Sequence, residues 1–365
     1  MTNVSSGKKK SKRIFYFDAL RALAILTVIT LHIYNNTGSM VAEQYGVIPS
    51  INWIISCFNG SWFRFGVDLF LMLSGALSLG RVWDIKSFLG KRIPRIVMPF
   101  LFWGFVLSML LIGISYYAPD FLCTIKSFDI MSILTYLWDS YNASNMGFTQ
   151  YWFFWMILGT YLIMPIFNKW LLHSELTEVE YFLFFWLITC IFDFTIYTPF
   201  PIKLSYFSGP IGMVVLGYYL RHTERKIFNN PYVGPVITIL ALIINAYVFY
   251  IMFPVDGFKI DRYSIFLAFQ VTGIFLLFKN FKWDEHRLTK PDGLFRKGVQ
   301  SIAKYSYGFY LIHIVILKLL LTYLQPFLHY KALTFTLWIL TIVFTWIVMA
   351  VCYRVPYLNQ VIGAK

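Results

Sequence analysis

Apolar residues along the chain gather into long runs that alternate with short polar segments. A helix needs about 20 mostly apolar residues to cross a bilayer core about 30 Å thick. The pattern therefore predicts an all-α polytopic bundle of about ten transmembrane helices. The second and sixth runs match a membrane-spanning helix least well, because they contain polar residues or are short. The runs lie near residues 15–37, 60–79, 95–117, 151–171, 181–199, 204–220, 232–253, 262–280, 304–324 and 333–353.

Composition and charge favour a membrane protein over a soluble one. Of the 365 residues, 58% are hydrophobic and 13% are charged, whereas soluble domains average about 25% charged residues. The net charge of +14 does not indicate nucleic-acid binding, because most Lys and Arg lie in short loops between apolar runs. With residues 8–13 in the cytoplasm, most of these basic loops fall on the same side, which predicts an N-in, C-in topology.

This topology predicts one membrane domain over residues 14–355, between a basic cytoplasmic N-terminus at 1–13 and a short cytoplasmic tail at 356–365. We expect a multi-pass protein of the cell (plasma or inner) membrane, with the first run kept as a signal anchor. The cysteines have no CxxC or metal-ligand spacing, so no metal is expected. Cys57 and Cys123 both fall on predicted outer segments, where they either pair in a disulfide or stay free.

The first run carries two ionisable residues, Arg21 and His32. Their spacing brings them within about 20° of one azimuth and roughly 16 Å apart along a helix axis. Ionisable residues at such depths usually face a bundle interior or a wet cavity and mark a substrate path. This helix face is therefore the first candidate for a functional site.

A second basic group, Arg92 and Arg95, precedes the third run. Residues at i and i+3 share a helix face, and Pro94 between them suits the first turn of a helix. Paired guanidinium groups at a helix start match phosphate oxygens well. The alternative is that both arginines set the topology and meet lipid phosphates.

The second run contains Arg64 and Asp68, which are four residues apart. One interpretation is that the two side chains only neutralise each other in the bilayer. In the predicted topology, however, Asp68 lies at a depth similar to that of His32. A carboxylate there would fix the imidazole tautomer and stabilise its protonated form.

The ninth run contains residues 306–313 and places His313 near the middle of the bilayer. Such a histidine either hydrogen-bonds a neighbouring helix or takes a direct part in chemistry. Trp152 lies in an aromatic triplet at the outer start of the fourth run and is by default part of an aromatic belt.

Together, and in this order, the motifs resemble the acyltransferase-3 family of integral membrane acyltransferases. The resemblance spans almost the whole chain, and its strength lies in the order of the motifs. It rests on Asp18, Arg21 and His32, on Phe70, Ser74 and Gly75, on Arg92, Arg95 and Pro99, on Tyr151, Trp152 and Phe153, and on Ser306, Tyr307, Gly308, Tyr310, Leu311, Ile312 and His313.

The resemblance implies an enzyme that moves an acyl group, usually acetyl, from cytoplasmic acyl-CoA to a hydroxyl of an extracytoplasmic glycan, glycolipid or cell-wall component. It implies that Arg21 and His32 are essential, and that Arg92 and Arg95 bind the phosphates of CoA. Some relatives carry a fused esterase-like domain after the membrane region. Because this sequence ends at Lys365 without one, we expect any such hand-off to need a separate extracytoplasmic partner.

The chemistry of the residues fits this implication. O-acylation needs a base, and a buried histidine stays neutral and competent because desolvation disfavours its charged form. We therefore expect His32 to be the general base, with Arg21 holding a phosphate or an amide carbonyl of the donor or maintaining the local potential. No Ser or Cys is well placed as a nucleophile, so direct transfer in a ternary complex is favoured over an acyl-enzyme.

Two other classes of protein compete with this interpretation. A secondary transporter or exporter of a surface polysaccharide or small polar solute would also place Arg, Asp and His inside the bundle. The absence of recognisable inverted repeats and discontinuous-helix signals argues against it. A structural or scaffold protein would leave the charges of the first run unexplained.

Overall fold

The computed structural model describes residues 14–45, 62–122, 124–145, 147–198, 200–202, 204, 207–252 and 260–364, with side chains 39–45 excepted. Every regular element in these ranges is helical. The predictions for the N-terminus at 1–13 and for Cys57 and Cys123 fall outside the described residues.

The described ranges contain twelve α-helices, joined by short 3-10 and π-helical turns. In chain order they are α1 (Phe15–Tyr45), α2 (Gly66–Ser78), α3 (Ile85–Tyr117), α4 (Ile130–Tyr141), α5 (Trp152–His173), α6 (Leu176–Ile191), α7 (Pro210–His222), α8 (Val233–Met252), α9 (Ile265–Asn280), α10 (Leu294–Leu324), α11 (Tyr330–Arg354) and α12 (Leu358–Val361).

Seven segments of the described chain are long and apolar enough to cross a membrane, and they include α1, α3, α5, α6, α8, α10 and α11. The other three predicted runs correspond to shorter helices, since α2 and α7 have 13 residues each and α9 has 16. The all-helical membrane architecture is confirmed. The count of about ten spans and the N-in, C-in orientation stay predictions.

The two 13-residue helices are short because they lie inside the bundle, packed against each other. Gly75 on α2 meets the backbone of Val214 on α7, and Gly217 on α7 meets the backbone of Met72, so closely that any Cβ would clash. Small residues let helix backbones approach in this way. Most residues of both helices are buried.

Helix α1 is central in the bundle, where it packs against α2, α10 and α11. Within its membrane-length segment 67% of the residues are buried, compared with 17% for α8, which pairs with α9 at the periphery. Helix α1 therefore lies against α2 and α10, the helices that carry the motifs at residues 70–75 and 306–313.

The start of α3 differs from the prediction. Asp84 caps the helix by accepting a hydrogen bond from the Ser87 backbone nitrogen at 3.1 Å, and the helix begins at Ile85. Pro94 thus lies in the helix interior, so its predicted first-turn position is wrong. Counting apolar residues misses polar turns that precede a membrane-length run, whereas an Asp cap marks the helix start.

Candidate active site

The face of α1 that was predicted to be functional lines a cavity at its Arg21 end. The Arg21 guanidinium Nη1 lies 3.6 Å from the Asp18 carboxylate, which is itself buried in the first turn of the helix. An acidic residue is favourable there because the helix N-terminus carries partial positive charge. Asp18 thereby holds the arginine at the cavity wall, with 23% of the Arg21 side chain exposed.

The cavity has a volume of ≈ 460 Å³ and is enclosed mainly by α1, α2, α3, α5 and α10. We call it the basic cavity, because four cationic side chains line it: Arg21, Arg92, Arg95 and Lys304. Within the part of the chain that the structure describes, no Asp or Glu lines it. Such a concentration of positive charge in a partly enclosed space attracts anions.

Arg92 and Arg95 reach the basic cavity from one face of α3. Arg92 donates a hydrogen bond to the Ser78 hydroxyl at 2.7 Å and lies over the Phe88 ring at 5.7 Å from the ring centroid. Arg95 is exposed and also lines the wall. The structure thus brings the predicted arginine pair together with Arg21, although the pair sits within a helix rather than at its start.

Ser74 also lines the basic cavity, from α2. Its hydroxyl donates a hydrogen bond to the Phe70 carbonyl at 2.9 Å. The side chain is therefore turned toward its own helix and supports the wall rather than standing ready as a nucleophile.

Two aromatic rings lie at the edge of the basic cavity that is nearest the histidines. Phe153 on α5 and Tyr310 on α10 both line the cavity, and their ring centroids are 5.0 Å apart. The Tyr310 hydroxyl donates a hydrogen bond to the Gln150 carbonyl. The cavity wall includes this ring pair but neither His32 nor His313.

His32 and His313 face each other beyond Tyr310, and we call them the histidine pair. Their ring centroids are 5.3 Å apart, and the His313 ring is 6.1 Å from that of Tyr310. Sequence periodicity did not predict this contact. It depends on the packing of α1 against α10, which no single-helix pattern specifies.

The hydrogen bonds of His313 define its tautomer. Its Nδ1 lies 2.9 Å from the Phe309 carbonyl and 2.9 Å from the Tyr310 carbonyl. Carbonyls only accept hydrogen bonds, so Nδ1 carries the proton and Nε2 is a lone-pair acceptor. Nε2 is fully buried and has no hydrogen-bond partner in the described part of the protein. Its Nδ1 bonds stay within α10 and do not link two helices.

Asp68 is fully buried on α2, and neither of its carboxylate oxygens has a hydrogen-bond partner among the described residues. The structure therefore brings Asp68 together with neither Arg64 nor His32 as a hydrogen-bonded pair. A buried carboxylate that accepts no hydrogen bond is costly, so this position is unusual. The structure assigns Asp68 no step in a reaction.

Arg262, before α9, is a residue that the sequence analysis missed. Its guanidinium lies over the Trp152 ring at 3.9 Å from the centroid, and its Nε is buried with no hydrogen-bond partner among the residues that the structure describes. The Arg262 charge acts on both His32 and Asp68. Trp152 thus supports a cation near the histidine pair, in addition to any place in an aromatic belt.

The sequence analysis also missed Lys304, the first residue of the ninth apolar run. It lies in the interior of α10, with its ammonium nitrogen 3.3 Å from the centroid of the Tyr353 ring. Lys304 lies two residues before Ser306 in the sequence. Because the motif at residues 306–310 lines the same cavity, this proximity could have identified Lys304 as a candidate site residue.

No cluster of three or more His, Cys, Asp or Glu side chains that could hold a metal ion occurs within the described ranges. The ligands that this arrangement is equipped to bind are anions, at the four cations, and groups that hydrogen-bond a neutral imidazole, at the histidine pair.

The fold and cavity define a multi-pass membrane helix bundle with a cavity lined by cationic side chains and, beyond Tyr310, a half-buried His32 packed against a buried His313. A comparison with protein-family models adds the identification: residues 14–354 match the model of the acyltransferase domain Acyl_transf_3. Because the match covers nearly the whole chain, the protein belongs to the acyltransferase-3 family, and the resemblance found in the motifs is confirmed. No curated protein and no solved structure matched the chain.

Proposed function

We propose that this membrane acyltransferase moves an acyl group, with acetyl favoured, from cytoplasmic acyl-CoA to a hydroxyl of an extracytoplasmic glycan, glycolipid or cell-wall component. In this proposal the basic cavity binds the donor, and the histidine pair is the place of transfer. The protein would work in the cell membrane. A separate extracytoplasmic partner would be needed only if the acyl group is transferred to another protein before it reaches the acceptor.

The observation that carries the proposal is the basic cavity on the same helix as His32. CoA carries a diphosphate and a further phosphate on its ribose, and guanidinium forks bind phosphate oxygens in pairs. The four cations of the cavity match such a ligand in charge and in chemistry. A neutral or cationic substrate would have no use for them.

The proposal also requires a path from the cavity to His32. Arg21 and His32 are roughly 16 Å apart along α1, a distance that the long, thin pantetheine arm of the donor is suited to cover. The arm must pass the rings of Phe153 and Tyr310, which line the cavity at that edge. We therefore infer that this ring pair moves when the donor enters.

In the transfer step, His32 takes the proton of the acceptor hydroxyl as the oxygen attacks the thioester carbonyl. A carbon–oxygen bond forms, the carbon–sulfur bond breaks, and the proton passes to the leaving CoA thiolate. His313 packs against His32 with its own proton fixed on Nδ1. Its role is to orient His32 and keep its lone pair available.

Direct transfer fits the described side chains better than an acyl-enzyme. The Ser74 hydroxyl is bonded to the Phe70 carbonyl, and Cys190 is buried without access to the basic cavity. Neither residue is presented to a thioester. Trapping a labelled acyl group on the washed, denatured protein would reverse this ranking.

The proposal is tested with inverted membrane vesicles and acetyl-CoA labelled in the acetyl group. Vesicles that contain the protein should deposit label, releasable by mild base as acetate, on a lumenal glycan or glycolipid. Vesicles with His32→Ala, present in equal amount, should deposit none. Movement of a polysaccharide or solute without label transfer would instead establish the exporter.

A further inference from the structure

The basic cavity has one wall that lies beyond the family-matched region. The match ends at residue 354, yet Asn359, Gln360, Gly363 and Ala364 all line the cavity. These residues belong to α12 and the turn that follows it. We call residues 358–364 the closing segment.

The closing segment is fixed to the bundle. Ile362 is fully buried, and its carbonyl accepts a hydrogen bond from the Trp103 indole at 3.1 Å. At Gly308 on α10, a Cβ would lie 2.8 Å from that same carbonyl oxygen, so the two backbones touch. Gly363 has a φ of 84°, which suits glycine, and turns the chain against Tyr307. This wall of the cavity is therefore a built feature.

The side chains that the closing segment offers differ from those on the other walls. Asn359 and Gln360 are exposed amides, uncharged, and each can both donate and accept hydrogen bonds. Phosphates need cations, which Arg21, Arg92, Arg95 and Lys304 already supply. A nucleoside, whose base and ribose carry donors and acceptors without charge, is the part of the donor that such amides complement.

We propose that the closing segment is the nucleoside-binding wall of the donor site, with the Asn359 and Gln360 amides hydrogen-bonding the base or ribose of acyl-CoA. The inference rests on the proposed donor. It assigns donor recognition to residues outside the family-matched region, and it divides the cavity into a phosphate side on α1, α3 and α10 and a nucleoside side on the closing segment.

The test measures equilibrium binding to the purified full chain in phosphatidylcholine nanodiscs, which keep anionic lipid headgroups out of the cavity. The probes are CoA, adenosine 3′,5′-bisphosphate and inorganic pyrophosphate. Asn359→Ala combined with Gln360→Ala should weaken binding of both nucleotides on the order of tenfold, since two hydrogen bonds are lost. Pyrophosphate binding should change less than twofold.

Two further variants sharpen the test. Trp103→Phe keeps an aromatic ring but removes the indole donor to Ile362, and it should weaken nucleotide binding by a few-fold because the segment loses its anchor. Gln325→Ala removes an exposed amide at the other end of α10, away from the cavity. It should leave all three affinities unchanged.

The outcomes separate this inference from the proposed function. If the wild-type protein binds both nucleotides and the double variant binds them equally well, the nucleoside wall is refuted while the donor site stands. Equal weakening of nucleotides and pyrophosphate would likewise refute it, since the amides would then act on phosphate. If the wild-type protein binds neither CoA nor adenosine 3′,5′-bisphosphate, the proposed donor fails and the inference fails with it.

Discussion

The basic cavity and the histidine pair share helix α1, which contributes Arg21 to the cavity and His32 to the pair, yet their environments differ. Around Arg21 and Arg95 the structure is open and charged, and the cations are at least partly exposed. Around His313 it is closed, and the imidazole Nε2 is buried without a hydrogen-bond partner among the described residues, whereas His32 beside it is half-buried. An open cationic pocket is suited to capture a hydrated anion, whereas a dry site is suited to proton transfer, because electrostatic interactions are stronger where water is excluded. In the proposed function, helix α1 connects the open cavity that binds the donor to the histidine pair where the proton is transferred.

The largest effect is expected at the histidine pair. His32→Ala should lower kcat by about 10³-fold or more, since positioned general bases contribute about 10² to 10⁴-fold. Transfer of labelled acetyl to the acceptor measures this. His173→Ala, at an exposed histidine at the end of α5, is the matched control and should behave as wild type. Full activity in a folded His32→Ala protein would remove the base assignment.

A second effect concerns the histidine pair as a unit. His313→Ala should lower kcat by about 10²-fold, because His32 loses the ring that orients it. Residues that act together show non-additive losses, so adding His313→Ala to His32→Ala should cost less than about twofold more. Additive losses in this double-mutant cycle would mean that the two histidines act independently.

In the basic cavity, substitutions should weaken donor binding rather than slow turnover. Arg92→Ala with Arg95→Ala should raise the KM for acyl-CoA by about 10 to 100-fold, the range expected for losing charge-assisted hydrogen bonds to phosphate. The KM for the acceptor and the kcat at saturating donor should change little. An unchanged donor KM would return both arginines to a topological role.

The lysine versions of these variants sharpen the comparison. Arg92→Lys or Arg95→Lys keeps the charge but loses the planar fork that binds two phosphate oxygens. The KM for acyl-CoA should then rise by only about three- to tenfold. Complete rescue by lysine would indicate a general electrostatic field rather than paired contacts.

The smallest effect is expected at Asp68. Neither of its oxygens accepts a hydrogen bond from His32 or Arg64 in the structure, so Asp68→Asn, which keeps the shape, should retain activity within about tenfold. Initial rates of acetyl transfer, normalised to folded protein, measure this. A loss as large as that of His32→Ala would instead mean that the predicted His32–Asp68 pair forms during the reaction.

Sequence periodicity predicted the parts of the site that depend on one helix. It placed Arg21 and His32 on one face of α1, and the structure puts Arg21 on the cavity wall. It also paired Arg92 with Arg95, because residues at i and i+3 share a face in any helix. The helical membrane fold followed from the length of the apolar runs in the same way.

The parts that depend on how helices meet were not predictable from one sequence. The contact between His32 and His313 requires the register of α1 against α10. Similar depth suggested Asp68 as the partner of His32, but depth does not specify the side of α2 that faces α1. The position of Arg262 over Trp152 likewise depends on how distant segments meet, so one sequence does not predict it.

The central claim is that one donor molecule spans from the basic cavity to the histidine pair. A structure of the protein with bound CoA, determined by electron cryo-microscopy, tests this most directly through the position of the donor sulfur. The account predicts that the phosphates contact Arg92 and Arg95, and that the sulfur lies beyond Tyr310, within about 4 Å of the His32 ring. A sulfur that stays on the cavity side of Phe153 and Tyr310, with those rings unmoved, would contradict the account.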